Sequence, residues 1–263
     1  MPELPEVEAV CRRLRPAVTG RTIVEARISR CAAPSTRAAV EGRPIHGVDR
    51  AGKHILVRLD GGVTVHTHLR MSGNLFAIRD HRFASAAARV VFALDDGSAM
   101  VLEDPRALAR MEARPSEAVD VEMAKLGPEP LSPAFTAAWF IEKAKESRQP
   151  AKLFLMDQAR VAGLGNIYAA EALYAARVNP RKLMQRQSVP KLRALHEAIV
   201  NVLTLAVQSA IAAYSRPGEF AEAGEFPCAV YGREGEPCEA CGRRILRIRQ
   251  GGRSTYYCPG CQR

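Results

Sequence analysis

Along residues 4–18 the apolar positions Val7, Val10, Leu14 and Val18 recur three or four apart and so share one side of a helix, with Pro5 suited to its first turn. From about residue 21 the period shortens to two. Short β-branched stretches at 22–28, 54–59, 63–69, 74–78, 89–94 and 99–103 alternate with turn residues, and Asp60-Gly61-Gly62 and Asp95-Asp96-Gly97 carry the residues that tight hairpins need. This pattern predicts a mostly antiparallel domain of two packed sheets. Residues 115–133 are proline-spaced and acidic and read as a linker. Helical spacing returns over 133–147, 150–158, 165–176 and 189–214, followed by a glycine- and glutamate-bearing loop and a short, basic, cysteine-rich tail from 228. The fold class expected is therefore α+β. A β-sandwich with a flanking helix spans 1–114, a linker 115–132, a helical domain 133–227, and a small hairpin module 228–263.

Composition narrows the partners. With 47% hydrophobic and 25% charged residues over 263 positions, the chain can bury a core without disulfide staples. Its net charge of +10 points to a polyanion, either nucleic acid or an acidic membrane surface. The first residues lack the charged and apolar regions of a signal peptide, and no apolar run reaches the length of a bilayer. A cytoplasmic location with reduced thiols is expected, with no membrane partner. The seven cysteines do not make a complete set of intrachain pairs.

Four of those cysteines crowd the tail. Cys238-x2-Cys241 and Cys258-x2-Cys261 are separated by sixteen residues, the spacing of paired knuckles that hold one structural Zn²⁺ by four thiolates. The stretch between them reads as a basic hairpin bent at Gly251-Gly252, with Arg253 beside the turn. A second motif, Gly163-Leu164-Gly165-Asn166, joins two helical stretches. It lacks the preceding strand of a nucleotide-binding loop, so it reads as a helix-turn-helix variant that holds a DNA backbone at a helix N-terminus.

The N-terminus carries a reagent. Removal of Met1 would expose Pro2 as a secondary amine. An α-amino group has a pKa near about 8 and a lysine near about 10.4, so at neutral pH the former supplies roughly a hundredfold more unprotonated nucleophile. Attack of a secondary amine on a sugar C1′ gives an iminium with no N–H to lose, an electron sink that acidifies the C2′ hydrogen. Glu3, adjacent, can move protons.

The segment Met1-Pro2-Glu3-Leu4-Pro5-Glu6, the loop Gly163–Asn166 and the four-cysteine ribbon with Arg253 occur in one order. Together they closely resemble the bacterial formamidopyrimidine-DNA glycosylase family over essentially the whole chain. The resemblance implies a helix–two-turn–helix domain and a zinc finger beside the sandwich, with damaged double-stranded DNA bound by a monomer. It also implies a bifunctional enzyme, glycosylase and abasic-site lyase, that excises formamidopyrimidines and 8-oxoguanine and cuts by β,δ-elimination. Residue by residue it makes Pro2 the nucleophile, Glu3 its acid/base partner, Glu6 a second carboxylate of the site and Lys53 a catalytic lysine that contacts the phosphate beside the lesion and assists the reaction. His68, Asn166 and Arg253 become backbone contacts, and Met71, Arg106 and the residue at 108 fill the gap left by a flipped nucleotide. Two departures stand out. Leu108 occupies the place of an aromatic wedge, and 211–228, where the family has a flap over 8-oxoguanine, is shortened and acidic. Two other readings stay open: an endonuclease VIII-like enzyme for oxidised pyrimidines, and a non-catalytic binder of damaged DNA.

Overall fold

A computed structural model describes residues 2–213 and 226–263. The flap at 211–228 therefore lies largely outside the described residues. The chain divides into two compact units, Met1–Lys125 with Ser209–Glu225, and Leu126–Gln208 with Phe226–Arg263.

The first unit opens on α1 (Leu4–Val18). Glu3 caps it: its carboxylate accepts the Glu6 N–H while its own N–H donates to Glu6 Oε2 at 2.8 Å, a reciprocal box that satisfies two otherwise unpaired donors. The predicted stripe Val7, Val10, Leu14 and Val18 is buried. Strands β1 (Ile23–Ile28), β2 (Ile45–Ala51), β3 (His54–Leu59), β4 (Val63–His68), β5 (Asn74–Ile78), β6 (Ala88–Leu94), β7 (Ala99–Glu103) and β8 (Arg110–Pro115) follow, with a short helix α2 (Ser35–Val40) after β1. They form two antiparallel sheets, ordered β1-β6-β7-β5 and β2-β3-β4-β8. Alternate residues of both sheets, among them Ile23, Phe92 and Met100 from the first and Val48, Ile55, Val57 and Val65 from the second, meet α1 in one core. The Asp60-Gly61-Gly62 hairpin is as expected, with Gly61 and Gly62 at φ +71° and +69°.

The structure corrects the sequence reading at several points. Strands β2 and β8 were not expected. β2 breaks its alternation with a register shift between Ile45 and Gly47, and β8 sets only Met111 and Ala113 between charged residues. The supposed linker contains a helix, α3 (Ser116–Met123), anchored by buried Val119. Contrary to the expectation that no apolar run is long enough, the last helix, α7 (Val189–Ala213), is by length and composition apolar enough to cross a membrane. Its fully buried residues Leu192, Leu195, Ile199, Leu203 and Ala206 recur at helical spacing, as in a core helix.

The second unit holds α4 (Ala137–Glu146), α5 (Ala151–Met156), α6 (Asn166–Ala175), most of α7, and a hairpin of β9 (Leu246–Gln250) and β10 (Arg253–Tyr257). The turn between α5 and α6 is built around Gln158. Its Oε1 accepts the Gly163 N–H at 2.9 Å, and its Nε2 donates to the carbonyls of Met156 and Leu164 at 2.9 and 2.8 Å. Gly127 closes the turn from outside, donating its N–H to the Gln158 carbonyl at 2.8 Å. A Cβ on Gly127 would meet the Arg160 carbonyl carbon at 2.6 Å. Gly127→Ala is therefore expected to destabilise this unit by about 2 kcal/mol, read as an earlier thermal transition.

Candidate nucleic-acid interface and metal centre

Pro2, Glu3 and Glu6 stand together at the start of α1, and all three are buried. Lys53 is placed by a tight turn between β2 and β3, in which Gly52 takes φ +57°, a conformation that disfavours a side chain. That turn is tied to α1. Arg50 donates one guanidinium nitrogen to Glu8 Oε2 at 2.8 Å and another to the Gly52 carbonyl at 2.9 Å. Burial pushes the Glu8 carboxyl up, but its hydrogen bonds to Arg50 and Arg12 and their charge outweigh this and hold it below its ordinary value. The helix that carries the candidate nucleophile and the turn that carries the candidate lysine thus share one charged link.

Met71, Arg106 and Leu108 lie on two loops with a common support. Asp104 is fully buried. Its Oδ1 accepts from the Ser72 hydroxyl at 2.6 Å and the Arg106 N–H at 3.1 Å; its Oδ2 accepts the Leu108 and Ala109 N–H groups, each at 2.6 Å. Arg70 and Ala107, at φ +56° and +52°, set the bends. Gly73 lets the loops approach: a Cβ there would meet the Leu69 carbonyl oxygen at 2.6 Å and Ala109 Cβ at 2.9 Å. The result holds Met71 and Leu108 at 49% and 41% exposure, two large apolar side chains kept in water by a rigid frame.

His68 ends β4. Its Nδ1 accepts the Arg70 N–H at 2.9 Å, which leaves the ring proton on Nε2.

In the second unit Asn166 begins α6. Its Nδ2 lies 3.5 Å from the Tyr231 hydroxyl, and its buried Oδ1 has no hydrogen-bond partner among the described residues. Tyr231, missed in the sequence, packs edge-on against Tyr256 of β10 at 5.2 Å. Its segment is fastened by Glu171 of α6, whose carboxylate accepts the N–H groups of Ala229, Val230 and Tyr231 at 2.8–3.0 Å. Arg253 follows Gly251-Gly252 at the tip of the hairpin and is exposed. Lys152, fully buried on α5, donates to the Ser254 carbonyl and the Thr255 hydroxyl, both at 2.9 Å, and so fixes the strand behind it.

The four cysteines of the tail converge, with their sulfurs all within 4.8 Å of one another. Cys238 Sγ is 3.8 Å from Cys261 Sγ, and Cys241 Sγ 3.4 Å from Cys258 Sγ. Thiolates at about 2.3 Å from a tetrahedral Zn²⁺ stand about 3.8 Å apart, so the cluster suits that ion. The Tyr174 hydroxyl of α6 lies 3.3 Å from Cys238 Sγ and links the knuckle to the helix.

Comparison with known proteins covers these same segments. Residues 1–111 match the model of the formamidopyrimidine-DNA glycosylase N-terminal domain, 126–215 that of its H2TH domain, and 235–263 that of a zinc finger found in FPG and IleRS. The chain is 40% identical to formamidopyrimidine-DNA glycosylase of Thermus thermophilus over 100% of its length and 98% of the relative's. A Lactococcus lactis FPG mutant in complex with a Fapy-dG containing DNA is similar at TM-score 0.89 and 28% identity, covering 100% of both chains. Lactococcus lactis Fpg in complex with an abasic site containing DNA is similar at TM-score 0.89 and 28% identity over 99% of both.

The Asp104 frame gives a measurable expectation. In Asp104→Asn an NH2 must face backbone N–H donors, at a cost of about 3 kcal/mol. Burial raises the Asp104 carboxyl, but the Ser72 hydroxyl and three N–H donors hold it below its ordinary value. Its contribution to stability is therefore full above about pH 4 and is lost as the pH falls through the folded-state value. Acid titrations of unfolding are expected to show this slope in the parent and not in the variant.

Proposed function

The chain belongs to the formamidopyrimidine-DNA glycosylase family, and from that premise we propose that it excises oxidised purines, formamidopyrimidines and 8-oxoguanine, from duplex DNA and cleaves the strand at the abasic site. The observation that carries the reading is the start of α1. A capped helix end holds Pro2 beside two buried carboxylates, in a chain whose solved neighbours hold Fapy-dG and abasic DNA.

In this reading the Pro2 nitrogen, unblocked by removal of Met1, attacks C1′ of the damaged nucleotide. The C–N glycosidic bond breaks, and the departing base takes its electron pair and a proton, with Glu3 as the acid/base group. The amine gives up its proton, the sugar ring opens as the C1′–O4′ bond breaks and O4′ takes a proton, and the nitrogen remains bonded to C1′ as an iminium. Loss of a C2′ proton then expels the 3′ phosphate, and a second elimination expels the 5′ phosphate. Glu6 holds the Glu3 backbone, and thereby Pro2, in position. Lys53 and His68 contact phosphates beside the lesion, Asn166 and Arg253 the backbone from the second unit. Met71, Arg106 and Leu108 occupy the space of the extruded nucleotide.

The four cysteines hold one structural Zn²⁺. Four thiolates leave no open coordination position, so the ion supplies no step of the reaction and serves the shape of the hairpin that carries Arg253.

Two measurements test these assignments. Borohydride reduction in the presence of abasic duplex is expected to trap a covalent adduct on Pro2 in the processed protein and to lose it when that nitrogen is blocked by acetylation, which removes the nucleophile. An adduct mapped to an internal lysine would overturn the assignment, and excision of pyrimidine lesions alone from a single-lesion panel would replace the substrate class. Elemental analysis is expected to give one zinc per chain. Its removal by a chelator should abolish DNA binding while the sheet signal of the first unit persists.

A further inference from the structure

Besides the residues assigned above, the outer face of the second sheet carries two further histidines. His54 and His68 stand opposite each other across β3 and β4, and His66 lies two residues along β4, so all three project from one face. His54 Nδ1 is 2.7 Å from His66 Nε2. The His54 ring meets His68 edge-on, with centroids 4.9 Å apart. The three line a cavity of about 150 Å³ together with Arg70 and Arg110.

Every element packed there contributes charge. The turn before β3 brings Lys53 close enough to act on His54 and His68. Strand β8 adds Arg110, Glu112 and Arg114, and α3 adds Glu122. Glu122, paired with Arg114 at 2.6 Å, opposes the cations at His54 and His66, and Glu112 does so at His66, but Lys53, Arg70, Arg110 and Arg114 outnumber the two carboxylates. Burial, then the His66 imidazole, push His54 down to about 4 against the pull of Glu122; burial, then His54, Arg70 and Lys53, push His68 to about 3; and burial lowers His66 despite Glu122 and Glu112. At neutral pH the cluster is a set of uncharged rings in a cationic surround. That electrostatic setting disfavours a metal cation and favours an anion. The cavity has room for one phosphate group, whose charge would reverse the penalty on protonating the rings.

We propose that the His54–His66 pair, with Arg70 and Arg110, is an additional contact for a DNA backbone phosphate, and that it takes up a proton as the phosphate enters. The proton enters as N–H on one ring, and the 2.7 Å hydrogen bond between the rings becomes charge-assisted, so both imidazoles share the cost. The inference rests on the reading in which this face meets DNA through Lys53 and His68. The sign follows from linkage: an anion raises the imidazole pKa in the complex, binding takes up a proton, and affinity rises as the pH falls.

The test is duplex affinity at fixed ionic strength from about pH 8 to about pH 5, using DNA with an uncleavable abasic analogue. In the parent protein the affinity is expected to rise by up to about tenfold per pH unit. In His54→Gln/His66→Gln the rise should flatten, and at the acid end the salt dependence should weaken by about one counterion. Imidazole NMR on the parent protein reads the same event without substitution: His54 and His66 should titrate at higher pH in the complex than in the free protein. An undiminished pH slope in the double variant, or unchanged titration in the complex, overturns the inference. Unchanged affinity in a Lys53→Ala/His68→Gln protein would instead overturn the reading on which it rests.

Discussion

A carboxylate buried without a cation must find hydrogen-bond donors, and Asp104 finds four in two loops that have no other reason to meet. The loop after β4 and the loop after β7 contribute few buried apolar residues and could not hold a shape by packing alone. The shared acceptor converts them into one rigid edge. Everything proposed for Met71, Arg106 and Leu108 depends on that edge. Side chains that must enter a base stack cannot first be ordered by the stack without losing much of the energy that insertion returns.

The same device recurs at each candidate residue. Lys53 is carried by a turn whose carbonyl is held by Arg50, itself held by Glu8. Tyr231 ends a segment whose N–H groups are gathered by Glu171, and Arg253 begins a strand pinned by Lys152. In each case a buried or half-buried ionic side chain from a neighbouring element fixes the backbone that presents the group. This arrangement leaves the backbone beneath the contacting side chains little entropy to lose.

How much of this the sequence disclosed follows from where the signal resides. Periodicity located α1, six strands and the last four helices because each buries a continuous stripe. It missed β2 and β8, whose inward residues are few and interrupted by a register shift or by charge. The zinc knuckles were legible because four thiol ligands at that fixed spacing rarely arise except to hold a metal. Pro2 and Asn166 are candidates from amine chemistry and a glycine turn but gain weight from the resemblance, and Lys53 is a candidate through the resemblance alone, since a single proline, lysine or asparagine means little by itself. Asp104, Tyr231 and the His54–His66 pair escaped for a further reason. Their meaning lies in contacts across strands and loops, which no local pattern encodes.

Leu108 shows what such a frame does with a changed residue. The Asp104 bonds engage the Leu108 backbone and are indifferent to its side chain, so the position keeps its orientation with a leucine. Burying a whole leucine side chain is worth about 2 kcal/mol, and part of this one is already covered, so its insertion returns about 1 kcal/mol. Unstacking a base step costs a few kcal/mol. Leucine alone therefore cannot drive the opening of a duplex, and a ring that stacked would come nearer to doing so. In the proposed role the balance would come from Met71 and Arg106 acting with it from the same edge, and from phosphate contacts that hold the strand while it bends. In the proposed role, a leucine here would move the work of opening the stack from one aromatic probe to the group, and would make the shared carboxylate beneath them more important than it would be under a single large wedge.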